Sequence, residues 1–183
     1  AVATSVDLSE RTWWEAHTWY SYASPPLASN WYRSRFLYTA LDEDVVDQQA
    51  RYLERFDVHG GDRGAHLAFQ GYVGGEVDAV PRTGSAYVHR GARMIVRQLV
   101  SWPTSPLWLR DAPSIPWDLR LWSDTAWGDL TAHTSEEAYQ NFPDPLQLDW
   151  QAAYYGENLD RLSAIKRAYD PENVFTFAQS VPR

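Results

Sequence analysis

The feature that most constrains this chain is a succession of short β-branched and aromatic runs separated by glycine, proline and small polar residues. Arg35–Leu41 (RFLYTAL) has strand character, and Ala65–Val73 reads as a second strand. Glu76–Val80 reads as its continuation after the Gly74–Gly75 pair, which marks a bulge or the close approach of a ligand or another backbone. A turn at Pro81–Gly84 leads into Ser85–Arg90, and Arg93–Trp102 follows as a further strand. Strands joined by connections this short are expected to pair antiparallel.

Helical spacing alternates with these runs. Asp42 can cap a helix in which Val45, Val46, Gln49, Ala50, Leu53 and Phe56 recur on one face, with acids at its start and Arg51 and Arg55 near its end. Trp117–Leu130 places Leu119, Leu121, Trp122 and Trp127 compatibly with a helix. Gly156–Tyr169 is the clearest helix, with Leu159, Leu162, Ile165 and Tyr169 along a face read as core, and Asp170-Pro171 stops it. Ahead of the first strand, WWEAHTWYSY allows a short helix ended by Pro25 and Pro26. Gly60–Gly64 reads as a turn, and Pro103–Pro116 as a surface loop. The expected class is α+β, an antiparallel sheet with helices packed on one face.

Composition removes several functions. A formal net charge of −8 repels phosphate backbones and argues against a nucleic-acid partner. No run approaches the ~18 apolar residues of a membrane span, and Ala1–Ala16 has no signal-peptide pattern. With no cysteine, thiol chemistry, disulfides and cysteine-linked flavin are excluded within these residues. The five histidines show no HxH, HxxxH or HExxH spacing, so no metal site is expected. No GxSxG elbow is present, and no Lys-Ser/Thr follows the glycines at Gly60–Gly64 as a phosphate loop requires. The start at Ala1, with Met94 the only methionine, suggests a processed, cleaved or cloned beginning. Aromatic residues make up 15% of the chain. They suit a core of large fillers, or a ring-walled cleft for sugars or flat organic molecules.

Two segments carry a family resemblance. Gln70–Arg90, QGYVGGEVDAVPRTGSAYVHR, has the double glycine, acid-containing segment, small-residue turn and terminal His-Arg of berberine bridge enzyme-like oxidoreductases. Ala138–Gln179 adds AYQNFPD, similar to the family's Tyr-x-Asn-Tyr/Phe pattern. Its YYGENLDRLSAIKRAYDPENVFTFAQS resembles the family's closing helix, Asp-Pro-x-Asn-x-Phe turn and C-terminal tail. Order and spacing agree from about Ala65 to Pro182.

The resemblance implies a flavin enzyme of the vanillyl-alcohol-oxidase type, in which an N-terminal half binds FAD and a following sheet covers the flavin ring. Residues 1–137 would form the substrate domain, and 138–183 would return toward a flavin-binding half absent from this chain. Nothing here resembles the family's flavin-attachment region or pyrophosphate loop, so the FAD-binding half is expected in the same precursor or in a separate chain. Alcohol or sugar-like substrates and O2 as electron acceptor are implied as partners.

Removing a hydroxyl proton while hydride leaves needs a base, and a tyrosinate serves if charge or hydrogen bonding stabilises it. By resemblance that base is Tyr139. Asn141, Tyr155 and Asn158 are implied on the cofactor side; Gln70, Glu76 and Asp78 are candidates toward substrate. Phe142 departs from the tyrosine that many relatives carry. Ala79 falls where berberine bridge enzyme itself has a catalytic glutamate, which argues against its ring-closing chemistry. His89 and Arg90 are read as ties at a strand end. The competing class is a non-catalytic, aromatic-rich module binding glycan or a protein partner; the Tyr139–Asn141 motif distinguishes the two, since such a module needs no tyrosine aimed at a flavin.

Overall fold

A computed structural model describes residues 10–15, 17, 28–56, 63–71, 75–103 and 114–183. The last strand in sequence is the middle one in space. Strand β3 (Met94–Pro103) lies between β1 (Ala28–Leu37) and β2 (Gly64–Gly71) and pairs antiparallel with both. Its sequence explains the position: Ile95, Val96, Val100 and Trp102 are all buried, so the strand suits a place with neighbours on both edges and layers on both faces.

Antiparallel pairing is as expected, but the connections are not tight hairpins. Helix α1 (Glu43–Glu54) links β1 to β2, which do not touch as neighbours. Between β2 and β3, Glu76–Ala79 forms a four-residue helix, α2, rather than a strand. Gly75 turns the chain at φ 64°, and its carbonyl accepts bonds from the Asp78 and Ala79 amides, which coils the backbone. Ser85–Arg90 is likewise irregular, not a strand. The first strand begins at Ala28 instead of Arg35 and ends at Leu37, where the chain bends at Tyr38 and Thr39. The Gly74 position, most of the Gly60–Gly64 turn, most of the Pro103–Pro116 loop and most of the WWEAHTWYSY run fall outside the described residues.

Helices α1 and α3 (Trp117–Thr131) cover one face of the sheet. Leu37, Val45, Val96, Trp127 and Leu130 form one cluster there; Trp31, Val100, Trp102 and Leu119 form another. Burying each such side chain contributes about 1.5–3 kcal/mol, offset by ordering entropy. Polar groups in this layer are paired: Gln49 Nε2 donates to the Ala126 carbonyl at 3.0 Å, and the Ser123 hydroxyl donates to Gln98. Asp42 does stand at the N-cap of α1, but only its carbonyl is used, by Val45 and Val46, and its side chain makes no cap bond.

The expected Gly156–Tyr169 helix is present from Leu159, with its first turn 3₁₀ and a further helix directly before it. Helix α4 (Trp150–Tyr155) runs into a 3₁₀ turn at Gly156–Asn158, then α5 (Leu159–Tyr169). Gly156, at φ 47°, makes the joint. Leu159 and Leu162 pack against Ala138, Ala153, Tyr154 and Tyr155, whereas Ile165 and Tyr169 are 44% and 87% exposed and are not core. The helix stop is as expected and has a clear cause. Asp170 accepts the Val174 and Phe175 amides and the Lys166 ammonium, while Asn173 takes the left-handed conformation at φ 57°.

The stretch leaving α3 covers the outer edge of β1. Phe36 N donates to the Glu137 carbonyl at 3.0 Å, Ser135 N to Phe36 O at 3.1 Å, and Tyr139 N to the Ser34 hydroxyl at 2.9 Å. This pairing protects an edge strand and delivers residues 138–142 onto the second face of the sheet.

Candidate active site

Strand alternation gives that second face Tyr32, Ser34 and Phe36 from β1, Ile95, Arg97 and Leu99 from β3, and His66, Ala68 and Gln70 from β2. Tyr139 and Phe142 lie over its β1 side. Phe142 stacks on Tyr32 with centroids 5.7 Å apart, and Tyr139 meets Phe36 and Phe142 edge-on at 6.1 and 5.6 Å. Ile95, Phe36 and Ala92 form the buried floor beneath these rings. The Asn141 amide donates to the Tyr139 phenol oxygen at 2.9 Å. Gln70, opposite Ile95, is exposed at the far side of the same face.

A partly buried charge network supports this floor. His89, 1% exposed, stacks on Phe36 at 4.0 Å, and its Nδ1 lies 2.7 Å from Glu137 Oε2. Glu137 also accepts from Arg82 Nη2 at 2.7 Å and from the Tyr38 hydroxyl. Burial pushes the Glu137 carboxyl up, but the bonds from His89, Arg82 and Tyr38 outweigh it and hold its pKa at about 2. Arg82 also reaches Glu157 at 2.9 Å; its pKa is raised, first by that bond. Burial foremost, with the Glu137 bond, raises the Tyr38 phenol. The His-Arg pair was read as a tie at a strand end; the structure uses it to hold a loop. Arg90 donates to the Val77 carbonyl and the Ser85 hydroxyl, each at 2.8 Å.

The structure brings Tyr139 and Asn141 together and sets Gln70 on the same face. Tyr155 is instead buried beside Ala153 and Tyr154, and burial raises its phenol. Asn158 is buried, with Nδ2 donating to the Arg82 and Ser85 carbonyls at 2.8 and 3.0 Å. Glu76 and Asp78 do not share a strand face, because no strand exists there. Both are exposed on α2, and Asp78 accepts the Gly91 amide at 3.0 Å. Sequence reasoning missed Glu137, Arg82 and Arg97. The Glu136-Glu137 pair directly before the AYQN motif and an arginine inside an apolar strand were the available signals.

The fold defines a layered α+β unit: helices close one face of a three-stranded sheet, and the other carries a tyrosine-centred aromatic floor with an open side. Residues 138–182 match the family described as Berberine and berberine like. The chain is similar to an uncharacterized FAD-linked oxidoreductase, YgaK, of Bacillus subtilis (strain 168), at 33% identity over 147 residues, covering 80% of this chain and 30% of that protein. Among solved structures it resembles CrmK, a flavoenzyme involved in shunt product recycling in caerulomycin biosynthesis. The TM-score is 0.67 at 26% identity, over 86% of this chain and 33% of that one. BBE-like #28 from Arabidopsis thaliana shares the fold, with TM-score 0.67 at 20% identity over 85% of this chain and 34% of its own. Residues 138–182 carry the berberine-like family match, the chain as a whole is similar to part of FAD-linked and berberine bridge enzyme-like proteins, and it spans about a third of the length of the relatives it matches.

Proposed function

We propose that this chain is the substrate-binding part of an FAD-dependent oxidoreductase that oxidises an alcohol or sugar-like carbon, with O2 as electron acceptor. In this reading residues 1–137 supply the substrate domain, 138–183 reach toward an N-terminal FAD-binding half, and that half closes the open face. The observation that carries it is Tyr139, held over the exposed side of the sheet with Asn141 bonded to its phenol oxygen. The residues present fit a flat cofactor and substrate pair. The floor is aromatic, Gln70 offers a polar group at its margin, and Val174, Phe175 and Phe177 present exposed apolar surface for a covering part.

The chemistry FAD supplies when bound is acceptance of a hydride. Tyr139 Oη takes the substrate hydroxyl proton as that hydride leaves. The Asn141 amide can donate to this oxygen both before and after it loses its own proton, so the base keeps its aim. Gln70 orients substrate at the face margin, and Glu76 and Asp78 contribute negative charge from α2. Tyr155 and Asn158 serve the cofactor side indirectly: Tyr155 packs the helix under residue 138, and Asn158 pins the 82–85 loop that holds Arg82 on Glu137. The aromatic load is divided: Trp31, Trp102 and Trp127 are buried packing, whereas Trp13, Trp14 and Trp117 are exposed. On this face the glycan- or protein-binding alternative would have to use the same rings that surround Tyr139.

The test is the visible spectrum and turnover of the native protein and of Tyr139→Phe. A flavin band in both, with turnover lowered about 10²–10⁴-fold in the variant, is expected. A colourless native protein, or a variant with undiminished turnover, sinks the assignment.

A further inference from the structure

The Arg97 side chain makes no hydrogen bond or ion pair among the described residues, whereas the other half-buried arginines of the core do: Arg35 donates to Gln147, and Arg90 to Val77 and Ser85. Arg33, Arg63, Arg82 and Arg120 each pair with a carboxylate. Arg97 has no such partner among the described residues, and its Nε is buried without a hydrogen bond. The position is central: Arg97 stands midway along β3 on the open face, flanked by Ser34 on one strand and Ala68 on the other. Both neighbours are short, so neither walls off the guanidinium. Its Cζ lies 4.9 Å from the Phe142 ring centroid and 5.9 Å from that of Tyr32. Those two rings stack on each other with centroids 5.7 Å apart, so the cation lies against the side of the pair, nearer Phe142, and not between them.

The charge pattern singles out this residue again. In a chain of net charge −8, the paired strands place no carboxylate on this face. His66 at the edge is the other basic side chain that the paired strands place here, and burial, then the charge of Arg97, push it below its ordinary value; Arg97 is the arginine of this face. A buried donor without an acceptor, on an otherwise uncharged aromatic floor, is an arrangement that an in-plane anion would complete.

We propose that Arg97 binds a carboxylate group of the substrate and so selects carboxylated substrates at this site. The inference rests on the reading that the open face is where substrate sits. It assigns the substrate's anionic end to β3, with the carbon to be oxidised lying toward Tyr139. Bidentate pairing of a guanidinium with a carboxylate, beside the stacked Tyr32 and Phe142 rings, fixes both the position and the plane of that end.

The experiment is calorimetric titration of the native full-length protein with benzoate and with benzamide, two rings of one shape that differ in charge. The wild type should bind benzoate at least about tenfold more tightly, the effect of one charge-assisted bond in a partly dry site. Arg97→Gln should abolish that preference while leaving benzamide affinity and the thermal midpoint unchanged. Arg97→Lys, which keeps the charge and loses the fork, should retain only part of it. Equal binding of the two probes by the wild type overturns the proposal, and is also what an acid from a covering domain already paired with Arg97 would give. Retained discrimination in Arg97→Gln overturns it too. The flavin band of the same samples reports separately on the oxidoreductase reading: a colourless protein that still discriminates supports Arg97 and removes the flavin.

Discussion

Glu137 is the acid on which the groups beneath the site converge, and its protonation should be visible in stability. Hydrogen bonds to His89, Arg82 and Tyr38 hold its folded pKa at about 2, below the ordinary 4.5. A depressed acid contributes stability that is fully present above the unfolded value and is lost as pH falls through the folded one. Glu137→Gln should therefore unfold more easily than wild type at pH 7, by about 1–3 kcal/mol, because Arg82 and the buried His89 Nδ1 lose a charged partner. The difference should shrink between pH 4.5 and 2. Thermal melts of both proteins at pH 7 and near pH 2.5 measure this, and a pH-independent difference would show that Glu137 does not carry the charge. None of this was legible beforehand, since Glu137 meets Arg82, His89 and Tyr38 only after long stretches of chain have been folded together.

At the level of elements, the joint between α4 and α5 decides where the 82–88 loop sits. Gly156 has φ 47°, and a Cβ there would lie 3.2 Å from Val88 Cγ2. Gly156→Ala should cost about 1–3 kcal/mol from backbone strain and crowding. The loss is measured as a lower urea midpoint; an unchanged midpoint would mean the turn relaxes freely. Asn158→Ala should cost a similar amount, about 1–3 kcal/mol, by leaving two carbonyls of that loop without their donor. Faster amide exchange across residues 82–88 would locate the effect. On the helix-covered face, Leu130→Ala removes a fully buried side chain between α3 and the sheet and should cost about 2–5 kcal/mol by denaturant titration. The helices α1 and α3 were readable because long apolar periodicity survives tertiary context. Glu76–Val80 and Ser85–Arg90 were misread because runs this short take whichever backbone their neighbours impose, here a positive φ at Gly75 and side-chain tethers from Arg90.

For the molecule as a whole, the exposed apolar groups mark what this chain does not cover by itself. Leu148, Tyr169, Val174, Phe175 and Phe177 are 88%, 87%, 70%, 78% and 65% exposed. Such groups are costly to leave in water and favour association. The chain made alone should self-associate, and Phe175→Ser with Phe177→Ser should raise its monomer fraction in light scattering without lowering its thermal midpoint. A monodisperse wild-type chain at high concentration would contradict this. The spacing in α5 predicted a buried stripe from Leu159 through Tyr169, yet only its first half has described residues to pack against.

The sequence by itself determined the class of fold, the helices with long periodicity, the Asp170–Phe175 turn and the motif that places Tyr139 beside Asn141. Those features depend on interactions within a few residues, which spacing and residue type report directly. Tertiary structure alone decided that β3 stands between β1 and β2, that a preceding helix joins the closing one at Gly156, and that Arg97 faces outward without an acid while Glu137 gathers three donors. Each of these depends on which distant segments become neighbours, and a linear pattern carries no record of that until the sheet has fixed its order.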